Sequence, residues 1–290
     1  MSSDLTTLVG RSSEEREFVW DDRLVRLYSL AVGAASDDPT GPELVFAAPG
    51  DASSNAMLPS FAVLPGADAR RSLDLHELGE STPVHAGQSI RILQPLRREG
   101  RLVSTARISA VWDKGSGALV EIESVSRDAV TDKVVVVNNS ATFAPGAGGF
   151  GGERGPSVPA AHVEVDADAV VSLDTRPEQA LLYALLGDEN PLHWNPEVAA
   201  AAGFERPILH GLCTFAIALR AVVSALDITD PSLLRDTSAR FSAPVIPGER
   251  LSVSVWRTPY GARFRATKAD GTVVLDRGVA SLGTSTGAKP

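Results

Sequence analysis

The stretch "RILQPLRREGRL", residues 91–102, has a counterpart far along the chain in "RFSAPVIPGERL", residues 240–251. In each, a proline follows the leading arginine by four residues and a leucine follows it by eleven. Each then runs into an alternating segment, "VSTARISAVW" in the first case and "SVSVW" in the second. A second pair precedes these: "WDDRLVRLYSLAVGA" near the start and "RPEQALLYALLGDEN" after the middle. Both read as a helix that closes with a tyrosine, a few apolar residues and a glycine. Two paired patterns in the same order and at nearly the same offset imply an internal duplication.

The segment between the halves, "APGAGGFGGERGPSVPA", Ala144 to Ala160, is rich in glycine and proline and reads as a linker. The expected organisation is a first repeat over 1–145, a linker over 146–160 and a second repeat over 161–290. Alternation and β-branched residues predict strands near Gln88–Pro95, Leu102–Trp112, Ala118–Ser126 and Lys133–Phe143 in the first half. In the second they fall near Asp236–Val245, Leu251–Arg257, Gly261–Ala269 and Val273–Leu282. Short turns such as "KADGTV" imply antiparallel hairpins.

One helix stands out. "GLCTFAIALRAVVSAL", Gly211 to Leu226, carries a single charge, so it is buried, yet it is too short to span a bilayer. A sheet wrapped around it accounts for its composition. In the first half "LPSFAVLPG" is a shorter counterpart. The fold class expected is α+β.

Composition narrows the function. With 43% hydrophobic residues, the 290-residue chain can bury a substantial core. A net charge of -9 and a pI of about 5.1 argue against general nucleic-acid binding, which needs a broad positive field. A few local arginines can still bind a phosphorylated ligand. The single cysteine, Cys213, makes an internal disulfide impossible and fits a reducing, cytoplasmic setting. No apolar run approaches the ~18 residues a membrane span needs.

The densest polar cluster is "YALLGDENPLHWNPE", Tyr183 to Glu197. On one continuous helix Asp188 and His193 would lie roughly 140° apart. Pro191 forces Asn190 out of helical geometry, so "DENPLH" reads as a turn. A second helix then starts well, capped by Asn195, with Pro196 at its first position and Gly203 at its end. The turn can aim Asp188, Asn190 and His193 at one point. The following "FERPILHGLCTF" sets Gly211 at the N-terminus of the buried helix, where free N–H groups can stabilise an oxyanion. A carboxylate, an imidazole and an oxyanion site make an acid–base constellation. Plainer readings stand beside it. Taken one residue at a time these come first: Asp188 and Asn190 as turn or capping residues and His193 as a satisfied interior histidine, with His210 as a buttress of the loop and Gly211 as a close-packing glycine. A metal site of Asp188, His193 and His210 matches no familiar ligand spacing, and none is expected.

The segment "YALLGDENPLH", with Ala199 six residues after His193, resembles the signature of hydratase type 2 in the MaoC-like dehydratase family. "RPILHGL" fits as well, and "QPLRREG", "WDKGSGALV" and "GAGGFGGERGPS" fit more loosely. The resemblance runs from about Phe18 to Leu282. Leu186 departs from the small residue usual before the signature glycine. The first half, "YSLAVGAASDDPTG", has no histidine matching His193.

The resemblance implies a double hot dog, two antiparallel sheets each wrapped on a helix and related by a pseudo-twofold axis, with the first repeat catalytically silent. It implies reversible syn hydration of a trans-2-enoyl thioester to the (3R)-3-hydroxyacyl thioester. Asp188 and His193 would be the acid–base pair, Asn190 would orient the water or His193, and Gly211 would be the oxyanion donor. No cofactor is needed; the CoA or acyl-carrier-protein thioester is the substrate. His210, Arg97 and Arg98 are candidate substrate-binding residues; Arg97, Arg98 and Arg101 form a local basic group that reads as a site for carrier phosphates or, no less well, as a solvated hairpin turn. A hot-dog thioesterase and a non-catalytic acyl-thioester binding subunit are the alternatives. A homodimer is the expected assembly.

Overall fold

A computed structural model describes residues 4–49, 56–79, 83–156 and 166–283. Five strands belong to the first half: β1 (Arg16–Trp20), β2 (Val84–Ile92), β3 (Gly100–Asp113), β4 (Gly117–Asp128) and β5 (Val134–Pro145). The second half supplies β6 (Ala169–Asp174), β7 (Leu234–Phe241), β8 (Arg250–Thr258), β9 (Gly261–Lys268) and β10 (Val273–Leu282). The eight predicted strands are all present. The two edge strands, β1 and β6, are additional. The helices are α1 (Asp22–Ala31), α2 (Leu44–Ala47), α3 (Val63–Arg71), α4 (Gln179–Ala184), α5 (Pro196–Ala201) and α6 (Gly211–Ala225).

The strands form one 10-stranded sheet in the order β1-β3-β4-β5-β2-β7-β10-β9-β8-β6. Every neighbouring pair is antiparallel. Each half contributes a five-stranded sheet with the same internal order, read outward from the middle. The two expected sheets are thus fused edge to edge, which removes two exposed strand edges. At the junction β2 pairs with β7, and Ser89 lies opposite Ser238. The separation of Ser89 from Ser238 equals that of Arg91 from Arg240, the repeat seen in sequence. The pseudo-twofold axis therefore passes between the two serines.

The sheet alternates as a half-buried sheet must, with one face packed on helices. Helix α6 is buried from Leu212 to Val223. Its lone charge, Arg220, bonds Glu43 through Nε (2.8 Å) and the Val32 carbonyl through Nη1 (2.8 Å). Gly33 takes a positive φ of 82°, and a Cβ there would lie 3.0 Å from Arg220 Nη1, so the glycine makes room for the guanidinium. Gln179 Nε2 donates to the Ala31 carbonyl, and Cys213 Sγ lies 3.7 Å from the same oxygen. Three buried groups of the second half thus converge on the end of α1 and hold the halves together.

Residues 146–156 are not a loose spacer. The Asp113 carboxylate accepts from the backbone N–H groups of Gly115 (2.8 Å), Gly149 (2.9 Å) and Gly151 (2.9 Å), pinning the segment to the β3–β4 hairpin. At Gly155 a Cβ would lie 2.4 Å from Trp112 Cδ2, so only glycine lets the chain cross the indole. The remainder of the expected linker, 157–160, lies outside the described residues. No helix among the described residues is long and apolar enough to cross a membrane.

Candidate active site

The polar turn is built as its residue types require. Helix α4 ends at Ala184, and Gly187 takes the left-handed conformation (φ 99°) that lets the chain leave it. Pro191–His193 form one 3₁₀ turn, which the Asn190 side chain caps by accepting from Leu192 N–H (3.0 Å). Asn195 then caps α5, accepting from Glu197 N–H (2.9 Å), and Pro196 takes its first position. Gly203 follows α5 with a φ of 85°.

The turn brings His193 against His210, with ring centroids 3.7 Å apart and planes 29° from parallel. His193 Nδ1 lies 2.8 Å from the Ile208 carbonyl oxygen. A carbonyl only accepts, so Nδ1 carries the proton and the Nε2 lone pair is free. His210 Nε2 donates in the same way to the Asp188 carbonyl (3.0 Å). The Tyr183 ring backs His210 at 4.8 Å between centroids.

The electrostatics follow from burial and neighbours. Burial pushes the His193 imidazole below its usual value, against the opposing pull of the Ile208 carbonyl and Asp188. Burial and the adjacent His193 push His210 down to about 4. Burial works to raise the Asp188 carboxyl, but His210, His193, Arg71 and Arg70 together hold it below the ordinary carboxylate value. At neutral pH the turn therefore presents a carboxylate beside an uncharged imidazole.

Gly211 opens α6, whose first-turn N–H groups have no intrahelical acceptor. A Cβ on Gly211 would lie 3.3 Å from Phe241 Cε1 and 3.5 Å from His85 Cβ, so the helix end meets β2 of the first half. Asp188, His193 and Gly211 thus sit around one corner of the second half.

The other predicted site residues are placed differently. Asn190 is exposed, and its side-chain oxygen serves the turn. His210 is 1% exposed, so it buttresses the turn from behind and does not line a substrate surface. Arg98 is buried, with its guanidinium on the Asp22 carboxylate and the carbonyls of Ala56 (2.9 Å) and Ala48 (3.2 Å). It clamps the segments after α1 and cannot meet a carrier phosphate. Arg97 is exposed on a groove of about 480 Å³ at the far end of β2, lined also by Met57, Leu58, Ile92 and Leu96. Ile92 is roughly 23 Å along the strand from His85. Arg101 pairs with Glu17 on the surface (3.3 Å). Asp188, His193 and His210 do not converge as metal ligands. Among the described residues the one group that does so, Asp74, His76 and Glu77, is elsewhere.

Sequence reasoning missed the first half's share of this corner: His85 on β2, and Arg70 and Arg71 on α3. Burial lowers the His85 imidazole to about 3. Two cations in the last turn of a helix give no local signal beyond a solvated helix end.

Known proteins agree with this architecture. Residues 18–146 match the MFE-2 hydratase 2 N-terminal domain, and residues 159–278 match the MaoC like domain. The chain is 36% identical over 269 residues to enoyl-CoA hydratase ChsH3 of Mycobacterium tuberculosis, covering 89% of this chain and 90% of that one. It is 35% identical to 3-hydroxyacyl-thioester dehydratase Y of the same organism, covering 93% of this chain and 95% of that one. The solved full-length peroxisomal multifunctional enzyme type 2 of Drosophila melanogaster superimposes with a TM-score of 0.82 at 33% identity, over 94% of this chain and 48% of that one. Matched over both halves, the chain belongs to the MaoC-like dehydratase family as a two-repeat, double hot dog member.

Proposed function

We propose that the chain catalyses the reversible syn hydration of a trans-2-enoyl thioester to the (3R)-3-hydroxyacyl thioester, in fatty-acid metabolism. The observation that carries this reading is the placement of Asp188 and His193 in one turn beside the free N-terminus of α6. A carboxylate and the Nε2 lone pair of His193 are both acceptors, so one water can donate to both. Its oxygen attacks C3 while its proton passes to one of the pair. The electron pair displaced from the C2–C3 double bond comes to rest on the thioester oxygen, whose negative charge accepts a hydrogen bond from the Gly211 N–H. The proton then returns to C2 from the same face, which makes the addition syn. His210 positions the pair through its stack on His193 and its bond to the Asp188 carbonyl.

Acid, base and oxyanion donor all come from the chain, so we assign the reaction no metal or redox cofactor. The thiol is CoA or an acyl carrier protein. The first half, which lacks a counterpart of His193, is assigned a non-catalytic role in holding the acyl chain. Its α3 has 9 residues against 15 in α6, and the apolar floor of the groove at Met57, Leu58 and Ile92 supports that reading. We place the protein in the cytoplasm on its single cysteine, although the Drosophila relative is named peroxisomal. A homodimer is proposed, to be measured by sedimentation.

The test is loss of enoyl absorbance with trans-2-enoyl-CoA of short and long chain, with the product resolved by chirality. Appearance of (3R)-3-hydroxyacyl-CoA supports the proposal. Release of free CoA points to a thioesterase, and no change with either thiol carrier points to a non-catalytic binding subunit. Activity confined to short chains removes the acyl-holding role of the first half.

A further inference from the structure

Helix α3 of the first half ends in Arg70 and Arg71, and this end abuts the polar turn of the second half. Gly187 has no side chain, and a Cβ there would lie 3.5 Å from Arg71 Nη2. Arg71 is held from behind by Asp68 (3.2 Å), which also meets Arg16 (3.5 Å). Burial disfavours the Arg70 cation, which has no ion-pair partner among the described residues; Asp188 and Tyr183 favour it, and it in turn disfavours a charge on His85. The groups that face Asp188 are therefore His193 and His210 from its own half, Tyr183 from α4, Arg70 and Arg71 from α3, and His85 from β2. The three histidines are uncharged at neutral pH because burial disfavours their cations. A guanidinium stays protonated even when burial lowers its pKa, so among these groups Arg70 and Arg71 are the positive charges at neutral pH.

We propose that Arg70 and Arg71 are positioning residues of the active site, through which the half lacking an acid–base turn supplies the fixed charge that keeps Asp188 ionised. The assignment rests on the hydratase reading for its use in turnover, but its electrostatic content stands apart from turnover. It gives the first half a role at the reacting end of the site as well as along the acyl chain. It also explains how a half-buried carboxylate beside two stacked, uncharged imidazoles stays ionised at neutral pH. The competing account is that two cations merely complement the dipole at the C-terminus of α3. That account predicts a loss of stability on neutralising them, with no change in the titration of Asp188.

The test uses the full chain labelled with [¹³Cγ]aspartate, with the Asp188 signal assigned by Asp188→Asn. Its carboxyl titration is compared in wild type, Arg70→Met/Arg71→Met and Arg70→Lys/Arg71→Lys, with the single Met variants in reserve if the double variant does not fold. The proposal expects the midpoint to rise in the Met variant and return in the Lys variant. It also expects kcat/KM of the Met variant to fall about tenfold further at acid pH than at pH 8. An unmoved midpoint in a folded Met variant overturns it. The carbon titration decides the matter even if no enoyl thioester is turned over, so failure of the hydratase reading is seen separately.

Discussion

The imidazole of His193 stacks on that of His210 at 3.7 Å, and each ring is fixed by one backbone carbonyl, Ile208 for the first and Asp188 for the second. The Ile208 carbonyl sets the tautomer of the catalytic ring, and the stack on His210 fixes its aim. A cation on either ring is disfavoured by burial, and His193 further depresses His210. The pair thus rests in the uncharged form that acid–base exchange with a water requires.

Replacing His210 tests the stack without touching substrate. His210→Phe keeps the ring contact but loses the bond to the Asp188 carbonyl. We expect kcat to fall about tenfold to a hundredfold with KM little changed, because the carboxylate loses its aim. Steady-state kinetics on folded protein checks this, and an unchanged kcat would make His210 mere packing.

The pH dependence of stability has a definite sign. The folded-state pKa of His210 is about 4, below its ordinary 6.5, so the unfolded chain binds the extra proton first. The stability it contributes is fully present above about pH 6.5 and is lost as pH falls through about 4. Urea midpoints measured across that window should decline toward acid, and His210→Phe should flatten part of the slope.

The union of the halves depends on Arg220 and Glu43. Glu43→Ala leaves a guanidinium on a buried helix without its carboxylate, and a loss of about 3 kcal/mol is expected. Denaturant unfolding measures it. A change within experimental scatter would mean that the Val32 carbonyl alone satisfies Arg220.

Much of this was legible in the sequence because it depends on local pattern. Alternation marked β3, β4 and β5. The uniform apolarity of Gly211–Leu226 marked α6, and Pro191 with Gly187 marked the turn. The short edge strands escaped: "REFVW" and "AVVSLD" lie at the rims, and β6 alternates only between half-buried and exposed positions. The fusion of the two sheets through Ser89 and Ser238 escaped for a different reason, since contact between distant strands leaves no local mark. Arg98 was misread because a basic run looks solvated, while its burial depends on Asp22 and on carbonyls far from it in sequence. The same limit hid Arg70, Arg71 and His85, whose charges and burial act on Asp188 only across the two halves of the folded chain.

The central claim is that one water held by Asp188 and His193 delivers both its oxygen and its proton to one face of the enoyl group. The most direct measurement is hydration of a trans-2-enoyl-CoA in D₂O, with the product read by NMR. The account predicts a single deuterium at C2, syn to the new (3R) hydroxyl, and no turnover in folded Asp188→Asn or His193→Ala. An anti product, or wild-type rates in both variants, would contradict it.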